Sequence, residues 1–269
     1  GAKPIPCEID PNTCTINLND AKNRITKNTK AIMPVHYCGN PGDLNKIYEF
    51  AKNHKLRVIE DSAHAFGTIY NGKKIGSFGD ICCFSFDGIK NITSGEGGAI
   101  ISSDKKFIAK VKDLRLLGVQ NDSNNRYKNK RSWDFDVNSQ GWRYHMSNIM
   151  AAIGIEQLKK FELFESKRKK LAMQYVSELK NETEIKLIEI DYDLVTPHIF
   201  IIRVMNGKRD ILKSNLEKSG IQTGIHYKPN HLLSYYFSYN LPITEIIYKE
   251  ILTLPLHPDL SFDEVKFIC

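Results

Sequence analysis

The sequence has no apolar run of membrane-spanning length, no internal repeat and no low-complexity tract. A helix that crosses a bilayer needs about 20 mostly apolar residues in a row, so we expect no membrane partner. No basic leader with an apolar core is visible where the chain starts. Without such a leader, nothing in the sequence indicates export.

The six cysteines form no C-x-x-C pair. Structural zinc sites often use that spacing, so we expect no metal. Cys82 and Cys83 are neighbours in an apolar run, where they are typical of small apolar residues in a buried strand. This cysteine usage suits a reducing compartment, and together with the missing export signal it predicts a cytoplasmic protein.

The charged residues are spread along the chain and form no dense basic stripe. There are 38 basic and 31 acidic residues, which gives a net charge of +7. Nucleic-acid binding would require a denser stripe and a reader motif, so we expect no nucleic acid partner. The positive excess could instead attract an anionic substrate such as a nucleotide diphosphate.

Two apolar runs between residues 57 and 101 each lead into side chains that can carry chemistry. The first run ends at Asp61 and is followed by His64, and the second ends near Ser85 and is followed by Lys90. Short apolar runs bounded by glycine and polar residues are typical of buried parallel strands. Ligands of open α/β sheets bind outside the carboxyl ends of such strands, so we expect these four side chains to meet in one crevice.

A lysine, a carboxylate, a hydroxyl and an imidazole at strand ends are the groups that pyridoxal phosphate (PLP) requires. PLP forms a Schiff base with a lysine amine, and an acid opposite the pyridine nitrogen keeps that nitrogen protonated. A flat imidazole can lie on the face of the ring. The hydroxyl and backbone N–H groups can hold the phosphate. A glycine cluster, formed by Gly95, Gly97 and Gly98, follows the lysine.

Each of these residues also has an ordinary structural interpretation when it is taken alone. A lysine after a strand is usually a solvated surface charge. Asp61 could cap a short helix, His64 could be a packed core histidine, and Ser85 could be a plain strand residue. The joint order D-x-x-H, then S-F-x-x-x-K, then G-E-G-G is much harder to obtain by chance.

The motifs EDSAHAFG, FSFDGIK and SGEGGAI resemble the core motifs of the nucleotide-sugar aminotransferases of the DegT/StrS family. The resemblance implies an α/β protein of PLP fold type I, with a mixed, mostly parallel sheet in a large domain and a small α+β C-terminal domain. It implies that Lys90 forms the Schiff base, Asp61 faces the pyridine nitrogen, His64 stacks on the ring and Ser85 binds the phosphate. Relatives in which histidine replaces this lysine are dehydratases, so Lys90 favours transamination.

The same resemblance implies the reaction. An amino group would pass from glutamate to a keto-sugar nucleotide in amino-sugar or surface-polysaccharide biosynthesis. Other PLP chemistry on this fold, by a sugar dehydratase or a desulfurase, is an alternative. A desulfurase would need a cysteine on a mobile loop, whereas Cys82 and Cys83 lie in a predicted strand. An inactive or regulatory PLP-fold fragment is the second alternative.

The segment GWRYHMSN resembles the one that reaches the partner's active site in the family dimer. It implies a homodimer with shared active sites and makes Arg143 a candidate ligand of the phosphate or the substrate, with a surface cation as the alternative. His145 and Asn148 are further substrate candidates. Ser147 is a natural N-cap for the helix that follows.

Three more substrate candidates lie outside these motifs. His36 ends a predicted strand, and a hydrogen-bonded loop histidine is the alternative there. His226 and Tyr227 belong to GIHYKPNHL, which resembles a family segment near the substrate entrance. A packing role is the alternative for both.

The 269 residues are enough for one large domain and a smaller one. We expect a PLP-binding large domain over residues 1–145, a linking long helix over 146–180 and a small C-terminal domain over 181–269. The polar segment Gly118–Gln140 is expected to be a lid, a binding loop or a disordered segment. An upstream Gly-Thr pair of the family has no match, and the chain stops in what reads as a helix start. We therefore expect a fragment that is incomplete at both ends.

Overall fold

The computed structural model describes residues 1–120, 135–236 and 238–269 of the chain. The helices in this part are α1 (Leu18–Arg24), α2 (Leu44–Asn53), α3 (Lys105–Leu114), α4 (Asn148–Leu179), α5 (Arg209–Lys218), α6 (Pro242–Glu250) and α7 (Phe262–Ile268). The strands are β1 (Ala31–Ile32), β2 (Arg57–Asp61), β3 (Ile69–Tyr70), β4 (Lys73–Lys74), β5 (Ile81–Ser85), β6 (Gly98–Ser102), β7 (Ile185–Leu187), β8 (Phe200–Val204) and β9 (Ile251–Leu254).

The first sheet has the strand order β1-β2-β5-β6. The first three strands are parallel, with Asp61 of β2 opposite Cys83 of β5. The last strand, β6, is antiparallel and places Gly98 opposite Ser85. The carboxyl ends of β2 and β5 and the start of β6 therefore lie at the same edge. This confirms the predicted mixed, mostly parallel sheet.

Helix α2 crosses from β1 to β2 and covers one face of this sheet. Asp43 caps the helix through a hydrogen bond from the Lys46 N–H, and Leu44, Ile47 and Ala51 are buried at helical spacing. They share a core with strand side chains that include Cys82, which has the small apolar role expected for it. Burying each such side chain stabilises the fold by about 1–3 kcal/mol.

The second sheet is antiparallel in the order β7-β8-β9 and packs against the end of the long helix α4. Leu171, Tyr175 and Leu179 of α4, four residues apart, are buried in this core. The Tyr175 ring stacks on Phe200 of β8 with the ring centroids 4.7 Å apart. Helix α4 runs over Asn148–Leu179, and its C-terminal half packs on the second sheet.

Helix α4 begins where the sequence predicted, because the Ser147 side chain accepts a hydrogen bond from the Met150 N–H at 3.3 Å. Its first half carries exposed apolar side chains. Ile149 is 77% exposed and Ile153, about one turn further on the same side, is 44% exposed. We call these two side chains the α4 apolar face. Ile155 and Leu158 are exposed on the opposite side of the helix. The described part of the chain does not cover this face.

Two segments differ from what their sequence predicts. The opening 20 residues have no helical apolar period and predict a strand and turns, but helix α1 starts there at Leu18, because the Asn17 side chain accepts hydrogen bonds from the Asn19 and Asp20 N–H groups. The apolar ends of Ile221–Ile225 predict a strand, but within the described residues this segment makes one isolated bridge, between Gly224 and Thr253 at the edge of the second sheet. The predicted loop at 118–140 lies mostly outside the described residues.

The domain division at 145 and 180 stays a prediction. A cluster of buried side chains joins Cys14 and Cys38 to Ile188, Ile201 and Ile247, so residues from both ends of the chain share one core. Within residues 1–120, 135–236 and 238–269, no helix is long and apolar enough to cross a membrane. The same residues bring together no His, Cys, Asp and Glu group that could hold a metal ion.

Candidate active site

Asp61 lies at the carboxyl end of β2 and is held on both sides by its backbone. Its N–H donates to the Pro34 carbonyl and its carbonyl accepts from the His36 N–H, both at 2.9 Å. The Oδ1 atom accepts a hydrogen bond from the Ala63 N–H at 3.1 Å, which closes a local turn. No helix directly follows Asp61 in the described residues, so the helix-capping alternative is not the role that the structure shows. Oδ2 has no hydrogen-bond partner within the described residues, which leaves one carboxylate oxygen for a ligand.

Lys90 follows β5 and is half-buried rather than solvated. Burial lowers the pKa of its amine, against the opposing effect of the nearby Asp87 and Asp61 carboxylates. The amine is therefore closer to its neutral, nucleophilic form than an exposed lysine would be. In the described part of the chain, the side chain makes no hydrogen bond of its own.

The imidazole of His64 is buried beside this lysine. Burial lowers the pKa of His64 to about 3, and the charges of Lys90 and His226 contribute to the shift. Its Nε2 lies 3.3 Å from the Tyr227 hydroxyl. Its Nδ1 is buried without a hydrogen-bond partner in the part of the protein that the structure describes. At neutral pH this is an uncharged, flat ring at the strand edge.

Ser85 and the glycine cluster lie on the other side of the same edge. The Ser85 Oγ accepts a hydrogen bond from the Asp87 N–H at 3.3 Å, which leaves its own proton available to an anion. Gly97 has φ +147°, and a Cβ there would lie 2.7 Å from the Met146 Cε and 2.8 Å from the Ser94 Oγ. The segment around Met146 therefore packs directly on the glycine cluster.

The C-terminal part supplies His226 and Tyr227 to this crevice. The Nδ1 of His226 lies 2.8 Å from the Thr253 Oγ1, and its carbonyl accepts a hydrogen bond from the Tyr37 hydroxyl. The Tyr227 ring is 5.9 Å from the His64 ring, centroid to centroid. Burial, followed by the charge of Lys90, lowers the pKa of His226. Tyr227 thus lies beside His64, and His226 lies close enough to Lys90 to sense its charge.

The remaining sequence candidates are placed differently. His36 is fully buried, with Nδ1 3.1 Å from the Ser62 Oγ and Nε2 3.3 Å from the Glu60 Oε2. Burial lowers the pKa of His36 to about 3. This geometry favours the hydrogen-bonded role that the sequence left open, because the ring offers no surface to a substrate.

The segment before α4 holds the last three candidates. Arg143 is exposed and bridges Leu116 through its backbone, and its side chain has no ion-pair partner in the described ranges. Asn148 is exposed as the first residue of α4. His145 is half-buried, and its Nδ1 is buried without a hydrogen-bond partner among the described residues. The structure therefore leaves the Arg143 and Asn148 side chains open to a second molecule.

Sequence reasoning missed two buried side chains next to this site. His198 packs on His64 with the ring centroids 4.3 Å apart, and burial lowers its pKa to about 2. Asn91, directly after Lys90, donates hydrogen bonds to the carbonyls of Phe66 and Thr196. A polar residue that follows a predicted catalytic lysine was the one signal in the sequence for Asn91.

The residues present fit PLP. An amine with a lowered pKa, a neutral imidazole, a carboxylate oxygen and a hydroxyl proton lie at one edge of the first sheet, and the last two have no hydrogen-bond partner among the residues that the structure describes. These are the groups that bind and tune this cofactor in aminotransferases. Fold and site together define the class of PLP-dependent enzymes.

A model described as the DegT/DnrJ/EryC1/StrS aminotransferase family matches residues 1–269. The match covers the whole chain, and the chain belongs to this family. This confirms the family predicted from the motifs, the PLP fold type I architecture, the aminotransferase class and pyridoxal phosphate as cofactor.

Three similar proteins illustrate the range of the family. The spore coat polysaccharide biosynthesis protein SpsC of Bacillus subtilis is 34% identical over 98% of this chain and 71% of its own length. The structure of Helicobacter pylori PseC, an aminotransferase of pseudoaminic acid biosynthesis, matches with a TM-score of 0.89 and 28% identity over 99% of this chain and 71% of that one. Spr1654 of Streptococcus pneumoniae in its PLP form matches with a TM-score of 0.90 and 27% identity over 100% and 74%.

Proposed function

We propose that the protein transfers an amino group from glutamate to a keto-sugar nucleotide, with Lys90 as its catalytic residue. The observation that carries this proposal is the half-buried Lys90 amine, whose pKa burial lowers, beside Asp61 and the buried His64. A solvated surface lysine would have neither the burial nor these neighbours. The amino-sugar and polysaccharide relatives support the choice of a keto-sugar acceptor.

The residues would divide the work as follows. PLP, when bound, supplies an electron sink for the bond that breaks at the α-carbon of the amino donor. Lys90 would accept the proton from that carbon as general base and give it up again as general acid. With PLP bound, the Asp61 carboxylate would hold the pyridine nitrogen protonated. His64 would pack on the ring, and the Ser85 hydroxyl would help to hold the phosphate.

The substrate would bind between this edge and the C-terminal part. Tyr227 is 48% exposed beside His64, and His226 is fixed by Thr253, so both can contact a sugar. The net charge of +7 favours an anionic nucleotide diphosphate. His36 is the weakest substrate candidate because it is fully buried.

A homodimer with shared sites is part of this proposal. The α4 apolar face is exposed. Arg143 is exposed just before helix α4, and Asn148 is exposed as the first residue of that helix. A second copy packed on this face would bury the apolar side chains and bring Arg143 toward its partner's phosphate site. All six cysteines are free, which fits the reducing cytoplasm proposed as its location.

The test is product analysis. The protein is incubated with PLP, glutamate and a panel of keto-sugar nucleotides, and the products are measured by mass. The expected result is one amino-sugar nucleotide with an equal amount of 2-oxoglutarate, absent for Lys90→Ala. A dehydrated sugar without 2-oxoglutarate formation would indicate dehydratase chemistry, and no cofactor absorbance band would indicate a non-catalytic role.

A further inference from the structure

Thr196 is a fully buried residue at which four parts of the chain meet. Its N–H donates to the Thr68 Oγ1 at 3.1 Å, and its own Oγ1 donates to the Glu165 Oε1 of α4 at 2.6 Å. Its carbonyl accepts from the Asn91 Nδ2 at 3.4 Å. Backbone and side chain are thus fixed in three directions, so the Thr196 carbonyl is a rigid reference point.

Close packing adds to this rigidity. A Cβ on Gly39 would lie 2.4 Å from the Thr196 carbonyl oxygen, and a Cβ on Gly67 would lie 2.9 Å from its Oγ1. Both glycines have positive φ, at +93° and +96°. Backbone can approach Thr196 this closely only because these two positions carry no side chain.

Asn91 connects this point to the catalytic lysine. It is 4% exposed, and its amide nitrogen donates to the Phe66 carbonyl at 3.3 Å as well as to the Thr196 carbonyl. Phe66 is two residues after His64, and Asn91 is the residue after Lys90. One side-chain amide therefore ties the Lys90 segment to the His64 segment and to the Thr196 point.

The same segment also supports His64 directly. His198, two residues after Thr196, packs its ring on His64, and its carbonyl accepts a hydrogen bond from Arg168 of α4 at 3.1 Å. Since the Lys90 side chain has no hydrogen bond of its own in the described part of the chain, its position depends on the backbone on either side. On the N-terminal side the Lys90 N–H donates to the Asp87 carbonyl. On the other side Asn91 supplies the tie.

We propose that Asn91 is a positioning residue that fixes Lys90 relative to His64 by holding both segments to the Thr196 carbonyl. Asn91 touches neither cofactor nor substrate in this role and acts only through Lys90. The proposal rests on the proposed function in one respect, the catalytic role of Lys90. Losing the amide would let the Lys90 segment move outward and expose its amine to water.

The experiment measures Lys90 without using catalysis. The full chain is treated, before PLP is added, with a small amine-acylating reagent at a series of pH values, and Lys90 labelling is followed by peptide mass. The midpoint is the pH at which Lys90 labelling reaches half of its maximum. In Asn91→Ala this midpoint should rise by about one pH unit, a tenfold change in protonation, because water regains access to the charged amine. Asn91→Ser, which can reach one carbonyl at most, should give a smaller rise.

Tyr175→Phe is the matched control. It removes a buried side-chain hydrogen bond to a backbone carbonyl, that of Pro255 at 2.9 Å, in the core of the second sheet. Its Lys90 midpoint should equal that of the unsubstituted protein at a similar loss of thermal stability. If Asn91→Ala does not fold, the Asn91→Ser comparison decides.

Kinetics on the PLP-loaded protein give the second measurement. A positioning role lowers kcat about tenfold or more while KM for glutamate changes little, because a displacement near 1 Å at the reacting group can cost about a hundredfold. An unchanged midpoint and an unchanged kcat in a folded Asn91 variant would overturn the proposal. If borohydride-reduced PLP is found on a lysine other than Lys90 in the unsubstituted protein, the proposed function fails instead, and the two failures are distinguishable.

Discussion

The imidazole rings of His64 and His198 lie in contact, with their centroids 4.3 Å apart and their planes tilted by 49°. Both rings are buried, and burial is the main cause that lowers the pKa of each. A proton on either ring would place a cation beside the other ring and near Lys90. The site therefore holds two neutral imidazoles at neutral pH, and His36 is a third buried neutral imidazole below the same strand end.

These three histidines predict loss of stability in mild acid. Their pKa values in the folded protein are about 3 for His36 and His64 and about 2 for His198, against 6.5 in the unfolded chain. As pH falls through 6.5, the unfolded chain binds protons that the folded protein does not, so the free energy of unfolding decreases. The limiting slope is about 1.4 kcal/mol per pH unit for each histidine. Urea unfolding at pH 7, 6 and 5 measures it.

The variant His198→Phe isolates the contribution of His198 to this pH dependence. The His198 ring has no hydrogen bond within the described ranges, so phenylalanine replaces it without orphaning a polar partner. The free energy of unfolding should then change less steeply between pH 6 and 5. The slope should decrease by up to about 1.4 kcal/mol per pH unit, because the unfolded chain binds one proton fewer. His257→Asn, at an exposed position, is the control and should leave the slope unchanged. Glu60, whose pKa burial raises, is present in both variants and cancels in the comparison.

Lys90 should carry the cofactor. After PLP is added and the protein is reduced with borohydride, peptide mapping should find the cofactor mass on Lys90, and the visible absorption band should bleach. Lys90→Ala should lose both signals, whereas Lys74→Ala, on the exposed hairpin β3–β4, should keep them. A cofactor adduct on any other lysine would show that the assignment is wrong.

Asp61→Asn removes the charge of Asp61 but keeps its turn hydrogen bond. Asparagine can still accept the hydrogen bond from the Ala63 N–H, so the local turn should persist. The variant loses the negative charge that would hold the pyridine nitrogen protonated, and the transamination rate should fall by about a hundredfold or more. The pKa of Lys90 should also fall further, since the Asp61 carboxylate raises it. A rate close to that of the unsubstituted protein would leave Asp61 with a structural role alone, in the turn to Ala63.

Gly97→Ala tests the contact between the glycine cluster and the segment before α4. The new Cβ would meet Met146 and Ser94, and φ +147° is unfavourable for alanine, with a strain of about 1–3 kcal/mol. We expect weaker PLP binding, measured by titrating the absorption band. Gly88→Ala, where the nearest atom to a new Cβ is 3.8 Å away, is the control in the same region and should bind PLP normally. Equal affinities would mean that this contact does not shape the phosphate site.

The sequence predicted the parts of the fold that depend on local chemistry. Ser147 caps α4 because a hydroxyl before an apolar helix satisfies free N–H groups, and that pattern is readable in one turn. Asp61 and Ser85 could be placed together because parallel strands bring their carboxyl ends to one edge. Both inferences needed only short segments and a general rule of topology.

The sequence could not predict contacts made between distant segments. His198 starts an apolar run and looks like any residue before a strand, and its packing on His64 appears only when β8 and α4 come together. Asn91 binds two backbone carbonyls, which carry no signal in the sequence. The exposure of Ile149 and Ile153 was also hidden, because an apolar helical face looks the same whether its own chain or a second copy covers it.

The proposed shared active site predicts that two inactive variants restore activity when their subunits are mixed. If Arg143 reaches the phosphate of its partner's site, then Lys90→Ala and Arg143→Ala should each inactivate the homodimer. A mixed dimer of the two variants contains one site with both changes and one site with neither. Activity should therefore recover to about half of the unsubstituted value per mixed dimer, as two-fold symmetry requires.

The mixing experiment needs subunit exchange that is proven independently, by native mass measurement of differently tagged subunits. Lys74→Ala mixed with Lys90→Ala is the control, and it gives the activity expected when only one partner is damaged. Adding Ile153→Asp to both variants should prevent the recovery of activity, because a charge on the α4 apolar face would oppose burial of that face against a second copy. If proven mixed dimers of Lys90→Ala and Arg143→Ala stay inactive, Arg143 serves the site of its own subunit, and the shared-site part of the proposal is wrong.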